Sequence, residues 1–449
     1  MHARRAQYRC SMDDRAGSHV SRQRQGLTAS VTDFDVDRQR ALLIGLVRSA
    51  NDRARGESSL VELGLLTDTA GSDPVISELV RRERPDPATF IGKGKLAELV
   101  GLSKAEDIDV VVFDNELSPA QQRNLQIAFQ CDVVDRVALI LDIFAQHAHT
   151  KEGMLQVELA QHRYRLPRLR GKGVELSRLG AGIGTRGPGE TKLETDRRRI
   201  LERVRKIETE LKNSKRSRNT QSKRRKSSGD SVVAIVGYTN AGKSTLFNRL
   251  TDAGVLVEDR LFATLDSTVR KLELPHGHTA LLSDTVGFVR DLPHELVEAF
   301  RSTLEEAADA DLLLHLVDAS DADPDHQVAS VRDVLMEIGA ADVDELIVYN
   351  KVDLLTTTQL DRLAELHPAA EVISARTGEG LGDLLDALVD RLDAKTIELD
   401  LIIPYDRGEV LAEIHDAGEV MRIEHQGDGT EVSVRLPHDS AHRFREFVA

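Results

Sequence analysis

The chain has 449 residues, a net charge of −15, 40% apolar residues and two cysteines. That length exceeds one compact core and predicts about three domains, while the isolated Cys10 and Cys131 exclude a disulfide framework or a cysteine-based zinc site and point to the reducing cytoplasm. No stretch reaches the roughly 18 apolar residues of a membrane span and the arginine-rich start lacks the apolar run of a secretory signal, which excludes an integral membrane protein.

Residues 1–36 are rich in Arg, Ser and Asp without apolar periodicity and read as a disordered leader or an over-extended start. Residues 37–148 read as a small α/β domain: the apolar run 40–50 is helix-like, Ser59–Leu65 strand-like, and Asp109–Phe113 a β-branched strand of the kind covered on both faces. Residues 149–212 are predicted to form a two-helix arm. Its first helix is Glu152–Leu169, with Leu155, Leu159, His162 and Leu166 at helical spacing; its second runs from Glu190 to about Leu211, and the glycine-rich Gly180–Gly189 joins them. Asn213–Gly229 is polar, basic and of low complexity, so 213–230 is predicted as a flexible linker.

From 231 to 395 apolar strands alternate with amphipathic helices, which implies a mostly parallel, doubly wound sheet. Residues 396–449 repeat the alternation in miniature as a small α/β C-terminal domain, with strands at 397–403, 418–424 and 430–436, a helix at 406–416 and a last helix.

The charge is unevenly spread. Lys and Arg exceed Asp and Glu by 14 across residues 161–230, which leaves −29 for the rest of the chain. Such a basic block is either a solvated helix face with a linker or an electrostatic footprint for a phosphate backbone, and charge alone does not choose.

Chemistry concentrates in the second half. Val232–Val236 is a buried-strand run that feeds into Gly237, Tyr238, Thr239, Asn240, Ala241, Gly242, Lys243 and Ser244, the GxxxxGK[ST] phosphate loop in its setting of strand, turn and helix. The glycines let the backbone bend so that its N–H groups face phosphates, and the helix N-terminus adds partial positive charge. Lys243 is placed to reach the β- and γ-phosphates and the Ser244 hydroxyl to hold Mg²⁺.

The base is read further along, at Asn350, Lys351, Val352 and Asp353, the NKxD signature at the end of strand-like Leu346–Tyr349. An Asp carboxylate accepts from both the ring N–H and the exocyclic amine of guanine; adenine lacks that pair and would leave the carboxylate unpaired. Ser374, Ala375 and Arg376 follow strand-like Glu371–Ile373, where a backbone N–H covers the guanine carbonyl in such proteins. Between these lies DxxG: Asp284, Thr285, Val286 and Gly287, with Asp284 meeting Mg²⁺ through water and the Gly287 N–H sensing the γ-phosphate. Phe262, Ala263, Thr264, Leu265 and Asp266 fall where a first switch loop belongs, with Thr264 the second Mg²⁺ ligand and Thr268 its competitor. Lys243, Thr264, Asp284 and Gly287 are therefore the expected catalytic set.

Phe288 stands where many small GTPases carry the glutamine that orients the attacking water. Either a partner completes the site and intrinsic hydrolysis is slow, or the ring simply packs beneath the switch; both can hold. Asn240 resembles the asparagine with which some GTPases bind K⁺ in place of an arginine finger.

Four stretches together resemble the HflX family of translation-factor-class GTPases: Phe90–Leu99, Gly182–Arg198, Gly237–Asn248 and Leu261–Arg270, with Asp284–Pro293 fitting as well. The resemblance covers about residue 37 to the C-terminus; Ser267 stands where proline is usual, Ala181 where glycine is expected, and the leader has no counterpart. It implies a cytoplasmic, monomeric GTPase that binds the large (50S) ribosomal subunit and splits stalled or idle 70S ribosomes under heat or antibiotic stress. The alternative it carries is an RNA-binding or remodelling factor in 50S assembly. Mapped here, Gly180–Gly189 probes 23S rRNA, its glycines allowing close backbone approach while Arg186 and the basic flanking helices meet phosphate. Gly92–Lys95 (GKGK) is either a turn before a helix at Leu96 or a phosphate contact. Peripheral membrane association stays open, and a regulator acting on proteins is the remaining reading.

Overall fold

The run ALLIGLV, helix-like by its apolar pattern, is the central strand of a parallel sheet. The computed structural model describes residues 38–169, 188–227, 231–251, 261–262, 268–290, 304, 306–321, 323–394, 396–427, 429–437 and 441–449. The first sheet comprises β1 (Gln39–Val47), β2 (Ser72–Arg81), β3 (Val110–Phe113) and β4 (Asp132–Asp135), in order β2-β1-β3-β4 and parallel throughout. β1 pairs on both sides, Leu42 lying opposite Ile76 and Val111, and Ala41 to Gly45 are buried whichever face they point to. An unbroken apolar run has no phase that separates a buried strand from a helix, which is why the expectation for 40–50 is overturned.

Ser59–Leu65, expected as a strand, lies within helix α1 (Arg53–Thr69), which buries Leu60, Leu63 and Leu66. The remaining helices of this layer are α2 (Lys93–Ala105), α3 (Pro119–Phe129) and α4 (Arg136–His147). α1 and α4 pack on the face carrying Ala41, Leu43, Val110 and Val112; α2 and α3 pack on the face carrying Leu42, Ile44, Val111 and Phe113.

The arm is α5 (Lys151–Arg168), capped by the Thr150 hydroxyl accepting from the Gly153 N–H, and α6 (Pro188–Ser227). Leu155 and Leu159 close on Ile207, and Arg203 grips both oxygens of Glu158 at 2.6 Å. The expected linker from Asn213 is helix instead, as far as Ser227. No Gly or Pro interrupts residues 190–228, and Lys, Arg and Gln are good helix formers, so polar low complexity did not mean a break. Of the glycine-rich segment, Pro188 and Gly189 open α6, proline being suited to a first helical position; its other residues, with Arg170 and Arg186, lie outside the described ones, as does the 1–36 leader.

The second sheet contains β5 (Ser231–Gly237), β6 (Thr268–Glu273), β7 (Thr279–Asp284), β8 (Leu312–Asp318), β9 (Asp344–Asn350) and β10 (Glu371–Val372), in order β10-β9-β8-β5-β7-β6, with only β6 antiparallel. It carries α7 (Lys243–Thr251), α8 (Pro324–Ile338), α9 (Thr357–Leu366) and α10 (Leu381–Asp393). Its parallel strands end on one edge, so Gly237, Asp284, Asp318 and Asn350 collect there, where open α/β sheets bind ligands.

The last sheet, β11 (Thr396–Ile403), β12 (Glu419–Gln426) and β13 (Gly429–Pro437), is antiparallel in order β11-β13-β12 and is backed by α11 (Gly408–Ala417). The short β12–β13 connection permits only an antiparallel pair. The expected last helix is a 3₁₀ segment, His442–Phe447. Among the described residues no helix is long and apolar enough to cross a membrane.

Candidate nucleotide site

The phosphate loop takes backbone conformations that its sequence was chosen to allow. Gly237 has φ +151°, and a Cβ there would lie 2.2 Å from the Leu316 carbonyl oxygen; at Gly242, φ +96°, it would lie 2.3 Å from Asn350 Nδ2. Asn240 also sits in the left-handed region at φ +60°, a position asparagine tolerates better than most residues. Lys243 is buried, its ammonium donating to the carbonyls of Gly237 at 3.0 Å and Tyr238 at 2.8 Å. Burial pushes it down to about 8, opposed by the nearby Asp284 charge. A buried cation ringed by loop backbone is suited to an incoming phosphate.

Asp284 ends β7, buried, and its Oδ2 accepts from the Ser244 hydroxyl at 3.2 Å. A hydroxyl and a carboxylate converging beside Lys243 are hard oxygen donors of the kind Mg²⁺ takes alongside phosphate oxygens. Ala263, Thr264, Leu265 and Asp266 lie outside the described residues, while Phe262 is buried with its ring centroid 4.5 Å from that of Phe144.

The DxxG segment rests on the phosphate loop. Thr285 Oγ1 donates to the Ile235 carbonyl at 2.6 Å, the Phe288 N–H to Gly237 at 3.1 Å, and the Thr239 N–H to Phe288 at 2.6 Å. A Cβ at Gly287 would come within 2.8 Å of Thr239 Cγ2 and 3.0 Å of Lys243 Nζ, so a larger residue there would push on the phosphate loop. Val286 and Phe288 are buried; the Phe288 ring, 1% exposed, packs in the core shared with the N-terminal layer.

The NKVD and Ser374–Arg376 residues interlock with that loop. Asn350 Nδ2 donates to the Ala241 carbonyl at 2.8 Å, and its Oδ1 accepts the Ala375 N–H at 2.9 Å, so one buried side chain ties the NKVD turn to both neighbours. Lys351, at φ +67°, pairs with Asp318 Oδ2 at 2.7 Å. Val352 is buried, and Asp353 Oδ1 accepts from Ser374 Oγ at 2.6 Å while Oδ2 receives Arg376. The Ser374 hydroxyl and then the Arg376 guanidinium hold the Asp353 carboxyl below the usual carboxylate range.

Several partners were not read from the sequence. Asp318 had a signal, its place at the C-terminal end of a buried strand. Glu62 had none: it accepts from the Tyr238 hydroxyl at 2.9 Å and pairs with buried Arg136, which also reaches Asp114 at 2.9 Å. Arg290, just past DxxG, donates to the Arg55 carbonyl at 3.3 Å and lies 3.9 Å from Glu62. The Leu261 N–H donates to Thr69 Oγ1 at 3.3 Å. The phosphate loop, the Leu261–Phe262 segment and Arg290 after DxxG thus contact α1 or α4.

In the arm, the arginines differ. Arg168 lies over the Tyr164 ring and bonds Gln122 Oε1 at 3.1 Å, the Leu117 carbonyl at 2.9 Å and buried Asp135 at 3.2 Å, so it anchors α5 to the N-terminal layer. Arg163 pairs with Glu208 at 3.1 Å, whereas Arg165 is exposed. In GKGK, Gly92 caps α2 and Lys93 is exposed, but Lys95 is held by Glu78 at 3.1 Å and Glu98 at 2.7 Å.

Residues 57–145 match the family described as GTP-binding GTPase N-terminal, 147–225 the GTP-binding GTPase middle region, and 232–351 the 50S ribosome-binding GTPase family. The GTPase HflX of Caldanaerobacter subterraneus subsp. tengcongensis is 46% identical over 413 residues, 92% of this chain and 94% of that protein. The GTPase HflX of Lacrimispora saccharolytica is 46% identical, covering 89% and 94%, and that of Escherichia coli K12 is 42% identical, covering 84% and 89%. With identity of 42–46% over 84–92% of its length, the chain belongs to the HflX family and is a GTP hydrolase.

Proposed function

We propose that this GTPase binds the large ribosomal subunit through its arm and that its GTP cycle times the splitting of stalled or idle 70S ribosomes. The observation that carries the reading is the bonding of the nucleotide loops to the layer that bears the arm: Tyr238 and Arg290 both meet Glu62 of α1. A rearrangement of DxxG on hydrolysis therefore has a short path of non-covalent contacts to the layer that bears the arm. The match of residues 232–351 to a family described as 50S ribosome-binding supports the partner.

In this reading Asp353 and Asn350 select guanine, Ala375 covers its carbonyl, and Lys243 with the amides of Gly237–Ser244 holds phosphate. Ser244, Thr264 and Asp284 hold Mg²⁺, which when bound neutralises phosphate charge; the Gly287 N–H senses the γ-phosphate. Asn240 holds K⁺, a role tested by comparing hydrolysis in potassium and sodium salts. The segment Gly180–Gly189 contacts 23S rRNA.

The test is a gradient run after incubating 70S ribosomes with the protein and a non-hydrolysable GTP analogue. Splitting predicts loss of the 70S peak with protein on 50S; a persistent 70S peak with protein on free 50S favours the assembly reading. For the RNA contact, Arg165→Ala is the cleaner probe, because Arg163 and Arg168 serve the fold. Salt-insensitive binding unaffected by arm charge would favour a protein partner.

A further inference from the structure

We infer that Arg376 gates the base site, its guanidinium holding the carboxylate oxygen of Asp353 that a guanine base must take, so that nucleotide binding is an exchange of one donor group for another. The inference rests on the reading of Asp353 as the guanine-selecting carboxylate.

Two observations carry it. First, both oxygens of Asp353 are engaged: Oδ1 by Ser374 Oγ at 2.6 Å and Oδ2 by Arg376 Nη2. The carboxylate is 12% exposed and the arginine 74%, so the acceptor is fixed and its partner is free to swing into water. Second, the turn that presents Arg376 is braced from both sides of the site. Arg249, on α7 behind the phosphate loop, donates to the Thr377 carbonyl at 3.0 Å and lies against Gly378 at φ +95°, where a Cβ would come within 2.6 Å of Nη2. On the other side the Ala375 N–H is held by Asn350 at 2.9 Å, and Ser374 Oγ accepts the Thr377 N–H at 3.2 Å. A loop tied this way returns Arg376 to the carboxylate each time a nucleotide leaves.

The chemistry of the exchange is selective. A guanidinium offers planar N–H donors to a carboxylate, and the ring N–H and exocyclic amine of guanine offer the same kind of pair. Guanine therefore restores the N–H donation it displaces, although not the charge. Adenine lacks that donor pair, and must either leave the Asp353 oxygen without a donor or meet the guanidinium in its way.

The experiment uses the full chain, with fluorescent GDP followed at equilibrium and by stopped flow, in wild type, Arg376→Ala, Arg376→Lys and Asp353→Asn. Removing an exposed ion-pair competitor is expected to tighten GDP about two- to fivefold at low salt, with faster association, and with the advantage shrinking as salt screens the wild-type pair. Arg376→Lys should fall between. Weaker or unchanged GDP binding in Arg376→Ala would overturn the gate. Asp353→Asn separates that failure from failure of the underlying reading: it should lose GDP and gain xanthosine diphosphate, whose 2-oxo group accepts from the amide. Undiminished GDP binding by Asp353→Asn would remove the base assignment and the gate with it.

Discussion

The Tyr238 hydroxyl donates to Glu62 Oε2 at 2.9 Å, bonding the second residue of the phosphate loop to helix α1 of the N-terminal layer. The same carboxylate pairs with Arg136, whose side chain is 6% exposed. Glu62→Ala leaves that guanidinium with Asp114 alone, and breaking a buried pair costs about 3–5 kcal/mol. Urea unfolding should show that loss, with Glu62→Gln milder because it keeps an acceptor; a loss below about 1 kcal/mol would mean the pair behaves as a solvated surface contact.

Phe288 occupies the sequence position of a water-orienting glutamine, yet its ring is in the shared core. Phe288→Gln should not accelerate single-turnover GTP hydrolysis, and burying the amide there should destabilise the protein by about 2–4 kcal/mol. Faster hydrolysis with intact stability would show that the side chain reaches the phosphate.

Lys243 titrates near 8 against an ordinary value of 10.5, because burial disfavours its charge. With the folded value below the unfolded one, the unfolded chain binds more protons between those limits, so stability rises with pH from about 8 to 10.5. Phosphate favours the ammonium, so nucleotide binding near pH 9 should take up close to about one proton and weaken as pH rises. Calorimetry in buffers of different ionisation enthalpy measures the uptake; none at pH 9 would contradict the assignment.

Glu345 is held down to about 2: burial opposes its charge, but His315 at 2.5 Å and Arg332 at 2.6 Å prevail. Its folded value lies below the ordinary 4.5, so its contribution is complete above 4.5 and is lost as pH falls towards 2. Glu345→Gln should flatten that acid limb of the stability curve. An unchanged slope between those pH values would show that the triad does not contribute.

The motifs proposed for the nucleotide site were legible because each is a short run of sequence, although the contacts that join them are long-range. Gly237 and Gly242 take positive-φ backbone conformations that a short glycine motif signals, and Asn350 and Asp353 stand in a turn that follows a buried strand. The elements flanking it were less so. The run 40–50 and Ser59–Leu65 exchanged strand and helix, since uniform apolarity in the first hid its period and β-like composition in the second outweighed the spacing of Leu60, Leu63 and Leu66. The basic stretch after Asn213 is helix because charge says nothing against backbone hydrogen bonding.

By itself, the sequence determined that this protein binds and hydrolyses a guanine nucleotide, since that chemistry is written in short runs whose backbone geometry is dictated by neighbouring residues. Tertiary structure alone decided what those runs are fastened to. Tyr238 and Glu62 stand 176 residues apart, and Arg168 reaches Asp135 across 33. One pair couples the phosphate loop to the layer bearing the arm, and the other takes an arginine from the basic block into the fold. Contacts of that range are set by packing two buried layers together, which leaves no periodicity or spacing in the chain.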